Sequence, residues 1–381
     1  MGGHLVLVGG GHAHLTCLKR LRDFVERGHR VTLISLSPYQ YYSGMGPGLL
    51  SRIYRPQEVR FHVRKMAEDR GGRFVEGRVV RVDADERRLM LESGAEVAYD
   101  VASFNTGSEV EAGKAGAEGA PDVHTVKPIA NLLAAQESIL RKVEGGGPVA
   151  VVAVGGGAAA VEMAANAERL VLDAGAEAAV TLIGAGRLLE RFPDRMRELA
   201  LRSFRERDVR VLEGRRVEDL GNGRARTAAG ETVEYDTAIV ATGVRPSSLY
   251  ADSGLPTGER GGLLVDEHLR CVEYPEIFGG GDCISLQGHD LERVGVYAVR
   301  QNPILYHNLI AALERGELRR FEPGGDYLIA LNMGDGTGVA AKWGLAFDGR
   351  TAFWLKDYID RRFMRRFQVS GERDEPPQGD R

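Results

Sequence analysis

Apolar residues arrive along this chain in short continuous runs that stop on glycine, and between the runs they recur at helical spacing. Residues 5–8 form such a run, ending on Gly9-Gly10-Gly11; a helical pattern succeeds it over about 14–26, then a second apolar run at 30–35. Runs of this length bounded by turn residues predict buried strands, and a helix between two of them predicts a βαβ unit. The same succession returns at 149–154, Gly155-Gly156-Gly157, about 158–174 and 179–183. Each unit continues through hairpin-like alternation into a strand that opens on Tyr-Asp and closes on Thr-Gly. The first of these reads YDVASFNTG (99–107) and the second YDTAIVATG (235–243). A repeat of this length is a duplicated domain and not a solenoid unit. The predicted class is α/β: two Rossmann-like domains of the three-layer ββα type, the second inserted in the first, plus a small C-terminal α+β domain.

The expected boundaries are 1–112 with 245–325 for the first domain, 121–244 for the second and 326–368 for the C-terminal block. The Gly/Ala/Glu-rich stretch 109–120 reads as a loop or linker. The polar stretch 371–381, with Pro376-Pro377, reads as disordered, and 369–381 is set aside as a tail.

The glycine turns carry the first chemistry. Gly9, Gly11 and His14 fall on the pattern G-x-G-x-x-(G/A), where the first glycine makes the tight turn and the second lets a pyrophosphate approach the helix N-terminus. His12 and Ala13 lie between them. His14 departs from the small third residue, which implies a wider helix–strand spacing or a ring pointing past the strand toward solvent. Gly155, Gly157 and Ala160 fit the pattern fully. One match is weak, but two matches, each between a strand and a helix, point firmly to dinucleotides. The acid that ordinarily ends the second strand is absent from both copies: Ser35 stands there in one and Gly184 in the other. Ser35 still offers a hydroxyl to a ribose. Arg187, close behind Gly184, tolerates a 2′-phosphate, which tilts the second site toward NADPH or toward a domain that has lost its nucleotide.

Composition narrows the classes. A net charge of −4 gives no electrostatic case for nucleic acid. No apolar run reaches the roughly 18 residues of a membrane span, and no secretory signal pattern opens the chain. Cys17, Cys271 and Cys283 are far apart and form no CxxC, so neither a zinc site nor a local redox disulfide is indicated, and a reducing cytoplasm suits them. His12 and His14 read as turn contacts or packing, and no metal site is expected.

With both glycine turns, both Thr-Gly strands and GGGDC (279–283) together, the chain resembles the flavoproteins with two dinucleotide-binding domains, the pyridine nucleotide–disulfide oxidoreductase superfamily. PYQYYSGMGPG (38–48), HTVKPIANLL (124–133), GVYAVRQNPIL (295–305) and LKDYIDRRFMRRF (355–367) resemble the branch of type II NADH dehydrogenases and sulfide:quinone oxidoreductases. They are similar above all to the flavoprotein module fused to selenophosphate synthase in some proteins. The resemblance runs to about residue 367.

That resemblance implies FAD on the first copy and NAD(P)H on the second. It places Gly281 and Asp282 at the ribitol, Thr106 and Gly107 beside the pyrophosphate, and Val80 against the adenine. Gly243 takes the place of Gly107 in the second copy. Pro47 and Gly48 belong to the loop beside the isoalloxazine, with Tyr41 or Tyr42 near the ring, and Lys127 and Gln301 approach the flavin. Glu162 resembles the family glutamate that faces the nicotinamide. Lys342, with Trp343, is expected to line the acceptor pocket near Pro47. The implied activity is FAD-dependent NAD(P)H:quinone, or other acceptor, oxidoreduction; sulfide:quinone oxidation and a non-catalytic accessory or redox-sensing flavoprotein are the alternatives.

In the last helix Leu355, Ile359, Phe363 and Phe367 recur at every fourth residue beside Arg361, Arg362, Arg365 and Arg366. A basic amphipathic segment of this kind suits an anionic membrane surface and a lipid-soluble quinone, a homodimer contact, or a helix packed on its own core. The expected location is the cytoplasm, peripheral on the inner face of the cell membrane.

Overall fold

The duplication seen in the hydrophobic pattern becomes two parallel five-stranded sheets in which four strands keep the same order, while the edge strand beside the Thr-Gly strand comes last in the chain in the first sheet and first in the second. A computed structural model describes residues 2–111, 113, 116 and 120–375. In the first sheet the order is Ile277–Gly279, Val101–Phe104, His4–Val8, Arg30–Ser35, Arg73–Glu76. In the second it is Val123–Thr125, Thr237–Val240, Val149–Val154, Ala178–Ile183, Arg210–Leu212. All neighbours run parallel. The strand that feeds the glycine turn is therefore central in each sheet, with the Thr-Gly strand on one side and its βαβ partner on the other. The outer strand Ile277–Gly279 returns to the first sheet after the whole second sheet has been built.

Continuous apolar strands result from burial on both faces. Side chains alternate across a strand, so Val152 and Val154 meet Val217, Leu220, Ala225 and Val233 of a three-stranded meander. Val149, Val151 and Ala153 instead meet the helices, among them Ala160, Ala164, Leu170 and Phe204. A matching meander, Val79–Asp83, Arg88–Leu91 and Glu96–Ala98, accompanies the first sheet.

The C-terminal block is an antiparallel sheet, Ile329–Asn332, Gly338–Lys342 and Leu345–Gly349, on which the helix Arg350–Phe367 packs. Its buried face is Ala352, Lys356, Asp360, Met364 and Phe367. The four-residue stripe expected to face one surface is split. Phe363 packs beside Tyr42 and Phe61, whereas Ile359 is exposed. At 3.6 residues per turn, four-residue steps rotate around the helix, and three of them carry the stripe through about 120°.

The tail also departs from expectation. Glu372 is buried and accepts the His62 N–H at 3.2 Å and the Ser370 N–H at 3.0 Å, while Glu375 pairs with Arg60 at 2.6 Å. Residues 371–375 thus lie against the segment 57–62; 376–381, expected disordered, lie outside the described residues. Of the predicted linker, Glu109–Val110 pairs with Val244–Arg245, and residues 112, 114–115 and 117–119 lie outside the described residues as well.

Glu372→Ala leaves two backbone N–H groups without their acceptor and lowers the unfolding free energy by about 1–3 kcal/mol in denaturant titration. Asp374→Ala, at an exposed position two residues on, shifts it by about 0.5 kcal/mol or less.

Candidate functional site

Three loops meet where the first sheet's central strands end. Gly9 has φ +89°, and a Cβ there would stand 2.3 Å from the Asn105 carbonyl oxygen; on Gly11 it would stand 2.3 Å from Asn105 Oδ1. Both glycines are thus required by the protein's own 105 loop. Asn105 Oδ1 accepts the Ala13 N–H at 2.9 Å, and its Nδ2 donates to the Gly280 carbonyl at 2.5 Å. Gln301, buried, accepts the Gly281 N–H at 2.6 Å, which fixes the turn that carries Asp282. Asn105, a residue of the NTG stretch with no role assigned from sequence, is the tie among these loops.

His14 does not point to solvent. Its ring is fully buried, with Nδ1 2.7 Å from the Gly9 carbonyl and Nε2 2.8 Å from Ser103 Oγ. A carbonyl only accepts, so Nδ1 carries the proton and Nε2 accepts from the serine. Burial pushes the imidazole down to about 4, against the effect of the Gly9 bond. The room comes from the local backbone: this helix starts with a 3-10 turn, His12–His14, whereas the second copy enters an α-helix directly at Ala158.

Asp282 and Lys127, distant in sequence, form one cluster. Lys127 Nζ lies 2.7 Å from Asp282 Oδ2 and donates to Ser108 Oγ at 2.7 Å, and Ser108 donates to the same carboxylate oxygen at 2.8 Å. Burial opposes the charge, yet the Lys127 ammonium and these bonds hold the Asp282 carboxyl below its ordinary range. His12 sits beside this cluster, its ring against Tyr42 (5.2 Å between centroids) and Phe363 (6.0 Å). Its Nε2 is buried with no protein partner, and burial pushes the ring down to about 4. An orphaned buried nitrogen at this junction fits a ligand that brings a polar atom, as a flavin nucleotide does. Gly107, at φ +75° with open space where its Cβ would be, fits the same ligand. Thr106 is exposed and bonds the buried Tyr250 hydroxyl at 2.9 Å, Ser35 lies buried at its strand end, and Val80 is exposed on the first meander.

Pro47 and Gly48 lie in the short buried helix Gly46–Leu50, where a Cβ on Gly48 would meet the Tyr54 ring at 2.5 Å. Tyr42 donates to Asp360 Oδ1 at 2.9 Å; Lys356 pairs with Asp360 Oδ2 at 2.7 Å and donates to the Gly44 carbonyl. Glu162, from the second copy, accepts the Asn332 N–H at 2.8 Å. Burial pushes its carboxyl up to about 7, the Lys356 ammonium and the Asn332 bond opposing and the Asp360 carboxylate adding. The same helix supplies Asn166, which takes a hydrogen bond from Ser51 at 2.8 Å and donates to the Asn332 carbonyl at 3.0 Å. Glu162 thus stands where the first copy, the second copy and the C-terminal sheet meet.

Lys342 is elsewhere. It lies at the hairpin end of Gly338–Lys342, its ammonium 4.1 Å from the exposed Trp343 ring centroid. The buried lysine of the site is Lys356, which sequence reading passed over because it sits inside the arginine-rich helix. Its partner Asp360 at i+4 is the signal that could have found it.

The second turn repeats the first geometry without its tie. A Cβ on Gly155 would stand 2.3 Å from the Ala241 carbonyl oxygen, as Gly9 does from that of Asn105, and 3.0 Å from the small Ala160. Alanine at 241 has no side-chain amide to close the loop. Gly157 and Gly243 have open space where a Cβ would be, so this cradle faces outward.

Cys17, Cys271 and Cys283 are free and buried, and burial raises each thiol above its ordinary value. Among the described residues no group of three or more His, Cys, Asp or Glu side chains could hold a metal ion. Among the same residues no helix is long and apolar enough to cross a membrane.

The sequence profile of the pyridine nucleotide-disulphide oxidoreductase family matches residues 3–308. Ferroptosis suppressor protein 1 of Taeniopygia guttata is 28% identical over 289 residues, covering 70% of this chain and 71% of that one. The sulfide:quinone oxidoreductase of Aquifex aeolicus has a similar fold, with TM-score 0.77 at 17% identity over 96% of this chain and 92% of that chain. NDH2 of Plasmodium falciparum, solved with NADH, gives TM-score 0.77 at 17% identity over 97% of each chain.

Glu162→Gln raises the thermal unfolding midpoint at pH 8 by a few degrees and leaves it unchanged at pH 4. The carboxyl ordinarily titrates near 4.5 and here near 7. Between those values the unfolded chain releases a proton that the folded chain keeps, so stability falls as pH rises. The amide removes that loss.

Proposed function

The chain belongs to the pyridine nucleotide-disulphide oxidoreductase family, and on that footing we propose that it is an FAD-dependent NAD(P)H:acceptor oxidoreductase directed to quinone. The observation that carries this reading is one continuous cluster between the two copies. His12 on the first glycine turn touches Tyr42, Tyr42 bonds Asp360, Asp360 pairs with Lys356, and the charge of Lys356 acts on Glu162 beside the second turn. The flavin, when bound, supplies the hydride and electron chemistry.

The residues act around it. The first turn with Asn105, Asp282, Lys127 and His12 would hold the flavin nucleotide, and Gln301 would keep Asp282 in place. The second turn, through Gly155 and Gly157, would hold the nicotinamide nucleotide. Pro47 and Gly48 wall the site against water. Glu162 holds a proton at its carboxyl near neutral pH, which suits a group that must give one up and take one back during turnover. Lys356 keeps its positive charge away from water, paired with Asp360, where it stabilises developing negative charge more strongly than in water. Sulfide oxidation through a thiol pair finds less support, because all three cysteines are buried and unpaired.

A membrane-side acceptor is supported by exposed apolar side chains on the C-terminal block. Trp343, Leu345 and Trp354 are 73%, 75% and 63% exposed, and the last helix also carries Arg362 and Arg365 on its exposed surface. Such a surface suits a peripheral contact with anionic lipid, where a quinone resides.

Anaerobic mixing of the flavin-loaded protein with NADPH or NADH bleaches the oxidised flavin; an unchanged visible spectrum with both overturns the reading. Turnover with a soluble quinone shows an inflection near pH 7 that Glu162→Gln abolishes, with turnover at neutral pH lower by about 10²-fold. Replacing Trp343 and Leu345 by Ser lowers cosedimentation with vesicles of anionic phospholipid and leaves turnover with a soluble quinone intact.

A further inference from the structure

Beside the second glycine turn, the end of the neighbouring strand offers arginine where a carboxylate ordinarily stands. Ala178–Ile183 runs out at Gly184, the position from which an acid takes the adenosine ribose hydroxyls. Glycine brings no acceptor there, and a Cβ would meet Cδ2 of the buried Leu188 at 2.7 Å. The acid after the next strand, Glu213, is half-buried and already engaged. It accepts the Leu188 N–H at 2.6 Å and an Arg197 guanidinium at 2.6 and 2.8 Å. Burial opposes its charge, yet these bonds hold it below the ordinary carboxylate range.

The segment from Gly184 to Leu189 lies against the glycine turn itself. The Leu189 N–H donates to the Gly156 carbonyl at 2.7 Å, and the Arg187 carbonyl oxygen is 3.8 Å from where a Cβ on Gly156 would be. Ala185, Gly186 and Arg187 are exposed, and a Cβ on Gly186 would have nothing within 4 Å. Arg187 therefore stands on an open ledge between the turn and the strand end, where the ribose of a nucleotide seated on that turn must pass. Arg215 borders the same ledge: its N–H donates to the Gly184 carbonyl at 2.8 Å. Two acids share this surface. Asp194 pairs with Arg187 at 2.6 Å and Glu231 with Arg215 at 3.3 Å. Both arginines are largely exposed, and solvent-facing pairs of this kind contribute little, so an incoming dianion displaces them at small cost.

We propose that the second site takes a 2′-phosphorylated nicotinamide dinucleotide, NADPH, in preference to NADH, with Arg187 as the phosphate contact and Arg215 reinforcing the ledge. This rests on the nicotinamide reading given above. A guanidinium fork matches the phosphate geometry with paired charge-assisted bonds. A 2′-phosphate over Gly184 meets no carboxylate at the strand end, and the acids beside it, Asp194 and Glu231, are already paired with arginine, whereas a free ribose diol finds no acceptor on Gly184.

Calorimetric titration of the flavin-loaded protein with adenosine 2′,5′-bisphosphate and with 5′-AMP reads the 2′-phosphate directly, apart from any turnover. The bisphosphate binds tighter by about tenfold or more, and Arg187→Ala brings the two within about threefold. The ratio of kcat/KM for NADPH over NADH in flavin reduction falls in parallel. Equal affinities in the unaltered protein, or a preference that Arg187→Ala leaves intact, overturn the inference. Bleaching by NADH with no advantage for NADPH overturns it while leaving the oxidoreductase reading in force. Bleaching by neither overturns both.

Discussion

The close approach of the Asn105 carbonyl to the first glycine turn is the constraint on which the rest of this structure depends. It leaves no room for a Cβ at Gly9, and the Asn105 amide then uses both ends, accepting from Ala13 and donating to Gly280. Three segments distant in sequence are fixed at one point by a single side chain. Asp282 is placed by this point and by Gln301, and Lys127 reaches Asp282 from the start of the second unit. The first site is therefore assembled from both halves of the chain, and an error in docking them would be felt at the cofactor loops.

The two copies repeat one backbone geometry and differ in a side chain. Gly9 and Gly155 meet the carbonyls of Asn105 and Ala241 at the same 2.3 Å from an imagined Cβ. The first copy closes this approach with an amide and fills the space beneath with His14; the second has alanine at 241 and at 160, with Gly157 and Gly243 open. A closed, multiply bonded cradle suits a resident group, and an open one suits a substrate that comes and goes. Under the proposed function, the division of labour between the copies rests on these few positions more than on the glycines they share.

Between the copies, the last helix brings Lys356 and Asp360 into a buried cluster with Tyr42 and Glu162. Ion pairs out of water are expensive unless well bonded, and this one is: Lys356 also donates to Gly44 and Asp360 also accepts from Tyr42. Such a cluster contributes little net stability, but it sets the charge around the Pro47 loop, where the Lys356 ammonium opposes the burial that raises the Glu162 carboxyl.

The sequence by itself determined the fold and the two glycine turns, because strand burial on both faces and the glycine requirement are local and leave a periodic trace. It determined the duplication, the glycine turn that carries Asp282 and the absence of an acid at both strand ends. Only the tertiary structure decided what each polar side chain answers to. His14, which in the sequence implied a wider helix–strand spacing or a ring toward solvent, is a buried bridge between Gly9 and Ser103; Lys342 was expected to line the pocket near Pro47, but Lys356 is the one that bonds the Gly44 carbonyl of that loop. The every-fourth apolar stripe of the last helix was divided between core and surface by the turn of the helix. The tail at 371–375, polar throughout, folds because Glu372 and Glu375 find partners in the segment 57–62. Contacts of this kind join residues hundreds of positions apart, so no local pattern records them.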